Sequence, residues 1–402
     1  MKPDSAVEIV QKLRQNGHEA YLVGGCVRDM VLGIEPSDYD IATSAHPEQV
    51  ISIFPRTEAI GAQFGVVLVI YRGHPFEVAT FRSDDAYVDG RRPTGVSFTN
   101  AEQDVLRRDF TINGLLYDPT TKEIIDYVSG KQDIQDRLIR AIGDPYKRFE
   151  EDKLRVLRAV RFGARLGYTI APDTWAAVCQ MAPLIHQVSS ERIREELVRI
   201  LTEGEAARGV RMLEEAGLRQ QILPEVHWSE QLDRALRLVN RGAAPDFAMA
   251  VLLHKTSPPD VVRIVERLKF SRAEMQHCVS LVENLPKFAA VDKMSTSALK
   301  RFFRLDRFDD YLELARIHVV AADHDLRQYQ YALAKYQGWS TADIAPAPFI
   351  TGEDLIEMGF KPGPLFKTIL TQVEDEQLEG RIVSREQALD FVRSRYSGSG
   401  SS

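Results

Sequence analysis

Residues near the N-terminus combine a glycine turn with a basic side chain. Gly24 and Gly25 end a short apolar run, and Arg28 follows three residues later, where a helix is predicted to open. A glycine turn allows close approach of a polyphosphate, and an arginine near a helix N-terminus can hold its charge. The stretch from residue 21 to residue 43 therefore predicts a site for the phosphates of a nucleotide.

Carboxylates follow in the same stretch. Asp38 and Asp40 open a predicted strand over residues 38–43, in which residues i and i+2 point to the same face. Paired carboxylates repel each other unless a cation neutralises them, and hard cations such as Mg2+ take carboxylate oxygens. Glu77, in an apolar predicted strand over residues 75–81, is a candidate third catalytic carboxylate, because a buried acid needs a partner. The alternative is that Glu77 is a charged residue on an edge strand without a catalytic role. The acids predict a two-metal site.

A second row of charged side chains has a spacing of three. Asp152, Arg155, Arg158 and Arg161 lie in a helix predicted over residues 150–166. A carboxylate accepts hydrogen bonds and a guanidinium donates them, which matches the amino donor and ring-nitrogen acceptor of cytosine and of adenine. Guanine and uracil present the reverse order and would leave polar groups unpaired. Asp152 and Arg155 are therefore predicted to select C and A, with a solvated helix face as the alternative.

The elements that must position these residues change character along the chain. Up to about residue 144 the pattern mixes strands and helices, which favours a small mixed sheet. Beyond Pro145 strand signals nearly vanish and helical patterns continue to Arg393. The fold class predicted is α+β. The predicted domains are a catalytic head (1–144), a neck for base recognition (145–202), a helical body (203–310) and an RNA-binding tail (311–396).

Composition narrows the possible partners and location. The 402 residues carry a net charge of −7, which argues weakly against nucleic acid, yet four basic clusters in and before the helical part favour a phosphate-tracking surface. The three cysteines are widely spaced, which indicates no disulfide framework and a reducing cytoplasm. No apolar run is long enough for a membrane span. The pattern leaves the oligomeric state open. His254 is interpreted as part of a structural helix without a metal.

These stretches together resemble the class II tRNA nucleotidyltransferases, the family of CCA-adding enzymes and bacterial poly(A) polymerases. Residues 22–29 with Asp38 and Asp40 are similar to its catalytic motif A, and residues 107–113 to motif B, which selects ribose. Residues 126–134 resemble the hinge motif C, residues 151–155 the base-pairing motif D, and residues 190–197 motif E. Gly114 stands where the family commonly has alanine.

The resemblance implies a polymerase-β-like head on an elongated helical neck, body and tail, with tRNA along the helical arm. It implies Mg2+ at Asp38 and Asp40, and nucleotide binding by the following residues: Gly24, Gly25, Arg28, Arg108, Asp109, Asp152, Arg155, Arg158 and Arg161.

The activity implied is addition of CCA, or its terminal A, to the 3′ end of tRNA from CTP and ATP without a nucleic-acid template. Residues 89–96 resemble a loop that C-only enzymes of the family lack, so full CCA addition and A-only addition stay open. Residues 61–65 lack the basic pair of many poly(A) polymerases, which disfavours that activity. An RNA-binding protein on an inactive scaffold is the non-enzymatic alternative.

Overall fold

The computed structural model describes residues 2–58, 64–84 and 96–396. The segment that resembles the loop absent from C-only enzymes, residues 89–96, lies outside the described residues except for Val96. The same holds for residues 61–63, part of the segment that bears on poly(A) polymerase.

The described residues of the first half of the chain contain eleven short strands. They are β1 (Ala20–Val23), β2 (Asp40–Thr43), β3 (Thr57–Glu58), β4 (Val66–Tyr71), β5 (His74–Thr80), β6 (Arg82–Asp84), β7 (Val96–Phe98), β8 (Leu115–Asp118), β9 (Glu123–Asp126), β10 (Leu138–Ile139) and β11 (Thr169–Ile170). Seven of them form one mixed sheet in the order β3-β4-β5-β2-β1-β8-β9. Within it β2 and β5 are parallel and the other neighbours antiparallel.

Helices precede, connect and follow these strands. They are α1 (Lys2–Gln15), α2 (Gly25–Val31), α3 (Pro47–Ile53), α4 (Ala101–Leu106), α5 (Gly130–Gln135), α6 (Pro145–Glu151), α7 (Arg155–Leu166), α8 (Pro172–Met181), α9 (Ser190–Thr202), α10 (Ala206–Glu215), α11 (Leu218–Ile222), α12 (Glu230–Arg237), α13 (Pro245–Leu253), α14 (Pro258–Arg267), α15 (Arg272–Asn284), α16 (Thr296–Phe303), α17 (Phe308–Ala321), α18 (Arg327–Gly338), α19 (Thr341–Ile344), α20 (Gly352–Glu357), α21 (Pro364–Leu378) and α22 (Arg385–Tyr396). In the described part of the chain, every helix is too short or too polar to cross a membrane.

The chain forms two compact units. One comprises Met1–Pro245 with Arg263–Phe270, and the other Asp246–Val262 with Ser271–Ser402. The first holds the mixed sheet, whereas the described residues of the second are helical or irregular. The predicted α+β class is confirmed. The finer division into head, neck, body and tail stays a prediction.

The β4–β5 hairpin illustrates how local sequence sets the sheet. Tyr71 pairs with His74, so Arg72 and Gly73 form a two-residue connection. Both have positive φ (49° and 81°), the conformation that matches such a turn to the twist of its strands. β4 and β5 therefore form a β-hairpin.

Two sequence-based boundaries are wrong at chemically important residues. The helix predicted over residues 150–166 is broken, because Asp152 has extended backbone angles (φ −145°, ψ 105°) between α6 and α7. Its carboxylate accepts the Leu154 N–H at 3.0 Å, a local bond that competes with a continuous helix. The strand predicted from Asp38 begins only at Asp40, so strand alternation does not pair the two acids.

His254, in the second unit, is buried and 5% exposed. Its Nδ1 lies 2.7 Å from the Val251 carbonyl, as expected for a structural histidine. Burial lowers the pKa of His254 to about 4, and burial also lowers the pKa of the neighbouring His318.

We expect this histidine pair to make the second unit sensitive to acid. The pKa of His254 in the folded protein lies below the unfolded value of about 6.5. The contribution of neutral His254 to the free energy of unfolding is therefore fully present above pH 6.5 and is lost as the pH falls toward 4. Its contribution to the loss at pH 5 is about 2 kcal/mol. Urea unfolding of the His254→Leu variant should show a shallower pH dependence than the wild type. The exposed His74→Leu variant should retain the wild-type slope, and an unchanged slope in His254→Leu would refute the assignment.

Candidate active site

A cavity of about 490 Å3 in the first unit collects most of the predicted site residues. Eleven of the twelve line it: Gly24, Gly25, Arg28, Asp38, Asp40, Arg108, Asp109, Asp152, Arg155, Arg158 and Arg161. Glu77 is the exception. The lining contains nine arginines and five aspartates, so the cavity is cationic and suited to a polyphosphate.

The glycine turn reaches the cavity because β1 ends beside β2. Val23, the last residue of β1, pairs with Asp40, so the chain passes from the strand directly into Gly24 beside that acid. Gly24 has a φ of 75°, and a Cβ there would lie 3.2 Å from Nη1 of Arg108. Glycine therefore provides both the backbone conformation and the close approach to an arginine.

Arg28 is held rigidly beneath this turn. It is 2% exposed, and its Nη1 donates to Oδ1 of Asn113 at 2.8 Å. Its Nε and Nη2 both donate to Oδ1 of Asp29, at 2.9 and 2.7 Å. Arg28 thus joins α2 to the segment 111–113, and its guanidinium is fixed at the cavity wall.

The two aspartates of the metal hypothesis have different surroundings. The side chain of Asp38 is 80% exposed and pairs with Lys2 at 2.7 Å, and the hydrogen bond from Lys2 lowers its pKa. Asp40 is open to the cavity, yet the loss of water around it and the Glu77 carboxylate raise its pKa to about 6. Asp40 therefore bears negative charge that the protein compensates poorly.

Glu77 lies beside Asp40 in the sheet but is exposed, so the expectation of a buried acid is wrong. Since Ile41 pairs with Val78 in parallel register, the preceding residues Asp40 and Glu77 are neighbours on adjacent strands. Among the described residues, no group of three Asp, Glu, His or Cys side chains is arranged to hold a metal. The carboxylate oxygens around Asp40, whose pKa is raised, nevertheless fit a divalent cation. A bound cation would relieve the repulsion between Asp40 and the neighbouring carboxylates.

The residues of the segment 107–109 are fixed by ion pairs. Arg107 and Arg108 both bind Asp104, at 2.7 and 3.0 Å. Asp109 accepts from Nε of Arg158 at 2.8 Å. Burial favours a higher pKa for Asp109, but Arg158 outweighs it and holds the pKa at about 2. Asp109 therefore anchors Arg158, a contact not anticipated from its predicted nucleotide-binding role.

The predicted base-reading pair is also held by protein partners. Arg192 of α9 donates from Nη1 and Nη2 to the two oxygens of Asp152, at 3.1 and 2.7 Å. Nη1 of Arg155 donates to Glu151 at 2.6 Å and to the Arg148 carbonyl at 2.8 Å. These bonds fix the orientation of both side chains at the cavity wall.

Further residues at the site were not predicted as site residues. Asp104 carried a usable signal, since an acid three and four residues before two arginines can bind both on one helical turn. Arg192 and Arg199 line the cavity, although their cluster favoured a solvated helix face when taken alone. Glu196 pairs with Arg161 at 2.7 Å and is 4% exposed, and only the resemblance to motif E marked its segment.

Close packing around position 114 explains why a glycine stands there. A Cβ at this position would lie 2.8 Å from Cγ2 of Val128 and 3.2 Å from side-chain atoms of Ile142 and Val105. We expect Gly114→Ala to lower the free energy of unfolding by about 1–3 kcal/mol, as overpacking does. Chemical denaturation checks this. Because Val128→Ala makes room for the methyl group, the double variant should lose less than the sum of the two single losses. Strict additivity would contradict the clash.

Family models match three parts of the chain. The model described as the poly A polymerase head domain matches residues 20–140, and that for the probable RNA and SrmB-binding site of polymerase A matches residues 167–229. A third, for tRNA nucleotidyltransferase domain 2, matches residues 246–392.

Relatives agree with these matches. A CCA-adding enzyme of Levilactobacillus brevis is 34% identical over 390 residues, covering 96% of each chain. One of Geobacillus stearothermophilus is 47% identical over 221 residues, or 54% of each chain. The solved structure of a Bacillus stearothermophilus CCA-adding enzyme in complex with CTP has a TM-score of 0.83 at 30% identity, and the match covers 99% of this chain and 100% of that one.

Proposed function

The chain belongs to the family of CCA-adding enzymes, which are tRNA nucleotidyltransferases, and we propose that it adds CCA to the 3′ end of tRNA from CTP and ATP without a nucleic-acid template. The observation that carries the proposal is the cavity itself. It places Gly24, Arg28, Asp40, Asp152 and Arg155 around one space, although they come from segments more than a hundred residues apart.

The basic residues of the cavity are proposed to hold the triphosphate. Arg28 and Arg108 flank the glycine turn, and both are positioned by acids or amides rather than by solvent. Arg158 and Arg161 approach from α7. Because these side chains are already ordered, binding a nucleotide costs little side-chain entropy, and the α-phosphorus can be presented to the incoming 3′-hydroxyl.

The reaction replaces one phosphoanhydride bond with one phosphodiester bond. The 3′-hydroxyl oxygen of the RNA bonds to the α-phosphorus, and pyrophosphate leaves. Enzymes of this family use a divalent cation, and we propose Mg2+ held by Asp38 and Asp40, with Glu77 as a neighbouring acid. When bound, Mg2+ supplies charge neutralisation and a more acidic hydroxyl. Lys2 would have to release Asp38 for that carboxylate to take part.

Selection of the base is proposed to rest on Asp152 and Arg155. Arg192 holds the Asp152 carboxylate as an acceptor, and Glu151 holds Arg155 as a donor. An acceptor beside a donor suits the amino group and ring nitrogen of cytosine and adenine. A nucleotide with the reverse pattern would set an acceptor against the Asp152 carboxylate and a donor against the Arg155 guanidinium, so its own polar groups would stay unpaired in the cavity.

A single panel tests the proposal. The full chain with Mg2+ is given tRNA lacking CCA, tRNA ending in C and tRNA ending in CC, each with labelled CTP and with labelled ATP. Full CCA addition predicts CMP incorporation into the first two, AMP into the third, and no long tail. Incorporation of AMP alone into the third substrate would identify A-only addition, and long A tails on any substrate would identify polyadenylation. No incorporation on any substrate would overturn the proposal.

The cellular location proposed is the cytoplasm. All three cysteines are free thiols, and two of them, Cys26 and Cys278, are buried. Burial raises the pKa of the Cys26 thiol to about 11, which makes it a poor nucleophile and disulfide partner. Such thiols are typical of a reducing compartment.

A further inference from the structure

We propose that a second cavity of the first unit, lined by Arg208, Arg211, Arg237 and Arg241, binds the phosphodiester backbone of an RNA nucleotide whose base stacks on Trp175. The inference rests on the proposed function, because it takes tRNA as the RNA that binds. It adds a second contact for that RNA, built from residues that do not line the cavity of the candidate active site.

The second cavity has a volume of about 560 Å3. It lies between α10 and α12, and its lining includes the residues that follow α12, through Arg241. Four arginines and one carboxylate, Glu205, face it. The arginines come from two helices and a turn that pack together, so the folded chain concentrates their charge.

The protein neutralises only part of this charge. Asp233 forms ion pairs with both Arg211 and Arg237, and the side chains of these arginines are 45% and 62% exposed. Arg208 donates to a neutral acceptor, the Tyr168 carbonyl, at 2.8 Å. Arg241 is exposed and forms no ion pair with any residue that the structure describes. An anion in this cavity would therefore meet donors that the fold leaves available.

A neighbouring cavity of about 310 Å3 distinguishes RNA from a free phosphate. Arg208 and Arg211 line both cavities. In the neighbouring cavity they are joined by Trp175, which is half-buried. An indole beside arginines suits an unpaired base, which stacks on the ring while the backbone phosphate meets the guanidinium groups. Inorganic phosphate has no group that would use the aromatic compartment.

The test measures tRNA binding to the full chain at several salt concentrations. The double variant Arg237→Ala/Arg241→Ala removes two exposed charges. Asp233 keeps its ion pair with Arg211 in this variant. We expect its Kd for tRNA lacking CCA to rise roughly ten-fold or more, and the dependence of log Kd on log salt to fall by about two. Affinity for CTP and ATP, and kcat at saturating tRNA, should not change. Arg56→Ala/Lys122→Asn, which removes two exposed charges elsewhere, is the matched control and should bind tRNA like the wild type.

The base-stacking part has its own variants. Trp175→Ala should weaken tRNA binding about five-fold or more, and Trp175→Phe should restore most of the affinity because it keeps an aromatic face. Should the arginine double variant fold poorly, Arg241→Glu alone supplies the test, since that side chain is exposed and forms no ion pair within the described part of the chain.

The outcomes separate this inference from the proposed function. If the wild type adds CMP and AMP to tRNA while the double variant keeps the wild-type Kd and salt dependence, the inference alone is overturned. Weaker CTP, ATP or phosphate binding at unchanged tRNA affinity would assign the cavity to free phosphates and also overturn it. A wild type that neither binds tRNA nor adds nucleotides would refute both.

Discussion

Asp40→Ala is expected to abolish nucleotide incorporation while tRNA binding persists. Asp40 is the acid that the fold places beside the glycine turn, and Glu77 and the loss of water raise its pKa to about 6. A side chain of this kind is stabilised by a bound cation and destabilised without one. Removing it should cost several kcal/mol of transition-state stabilisation, or roughly 1,000-fold or more in kcat.

The measurement for Asp40→Ala combines incorporation of labelled AMP into tRNA ending in CC with a separate tRNA-binding titration. Glu123→Ala, which removes an exposed carboxylate from β9 of the same sheet, is the control and should retain activity. Incorporation by Asp40→Ala at the wild-type rate would disprove the metal assignment. Loss of tRNA binding together with activity would show a damaged fold instead.

Asp152→Ala is expected to broaden nucleotide use to UTP or GTP. Both carboxylate oxygens of Asp152 are oriented by Arg192, and the side chain faces the cavity as a hydrogen-bond acceptor. Without this carboxylate, nothing beside Arg155 repels the acceptor that uracil and guanine would place at the Asp152 position. We expect the ratio of kcat/KM for CTP over UTP to fall by roughly 100-fold, since paired polar groups provide discrimination of this size or larger.

Asp152 also stabilises the start of α7 through Leu154, so a stability control is needed. Asp144 accepts the Tyr146 N–H in the same way at the start of α6, but it does not line the cavity. Asp144→Ala should lose about 1 kcal/mol of stability and keep the wild-type selectivity. If Asp152→Ala is destabilised to the same extent and its selectivity is unchanged, base recognition by Asp152 is refuted.

Much of the local architecture follows from sequence pattern. Two runs of apolar and β-branched residues, separated by Arg72 and Gly73, are sufficient to predict the β4–β5 hairpin. The glycine pair and the acids predict one site because β1 and β2 are short and adjacent in the chain. Gathering Asp152 and Arg155 into the same cavity required the family resemblance, since no local pattern specifies a contact across more than a hundred residues.

Side-chain partners could not be predicted from the pattern. Arg192 binds Asp152 because α9 packs near the start of α7. Arg158 binds Asp109 because α7 also lies against the segment 107–109. The exposure of Glu77 was missed because apolar neighbours in a strand do not show which of its faces is covered. The pairing of Asp38 with Lys2 similarly depends on where α1 begins in space. Such contacts depend on tertiary packing, which periodicity does not encode.

The most direct test of the account is the 3′-terminal sequence of tRNA lacking CCA after incubation with the full chain, Mg2+ and equal concentrations of all four nucleoside triphosphates. The account predicts molecules that end in CCA and are extended no further, with U and G almost absent. Unchanged ends, mixed bases or a long run of A would contradict it.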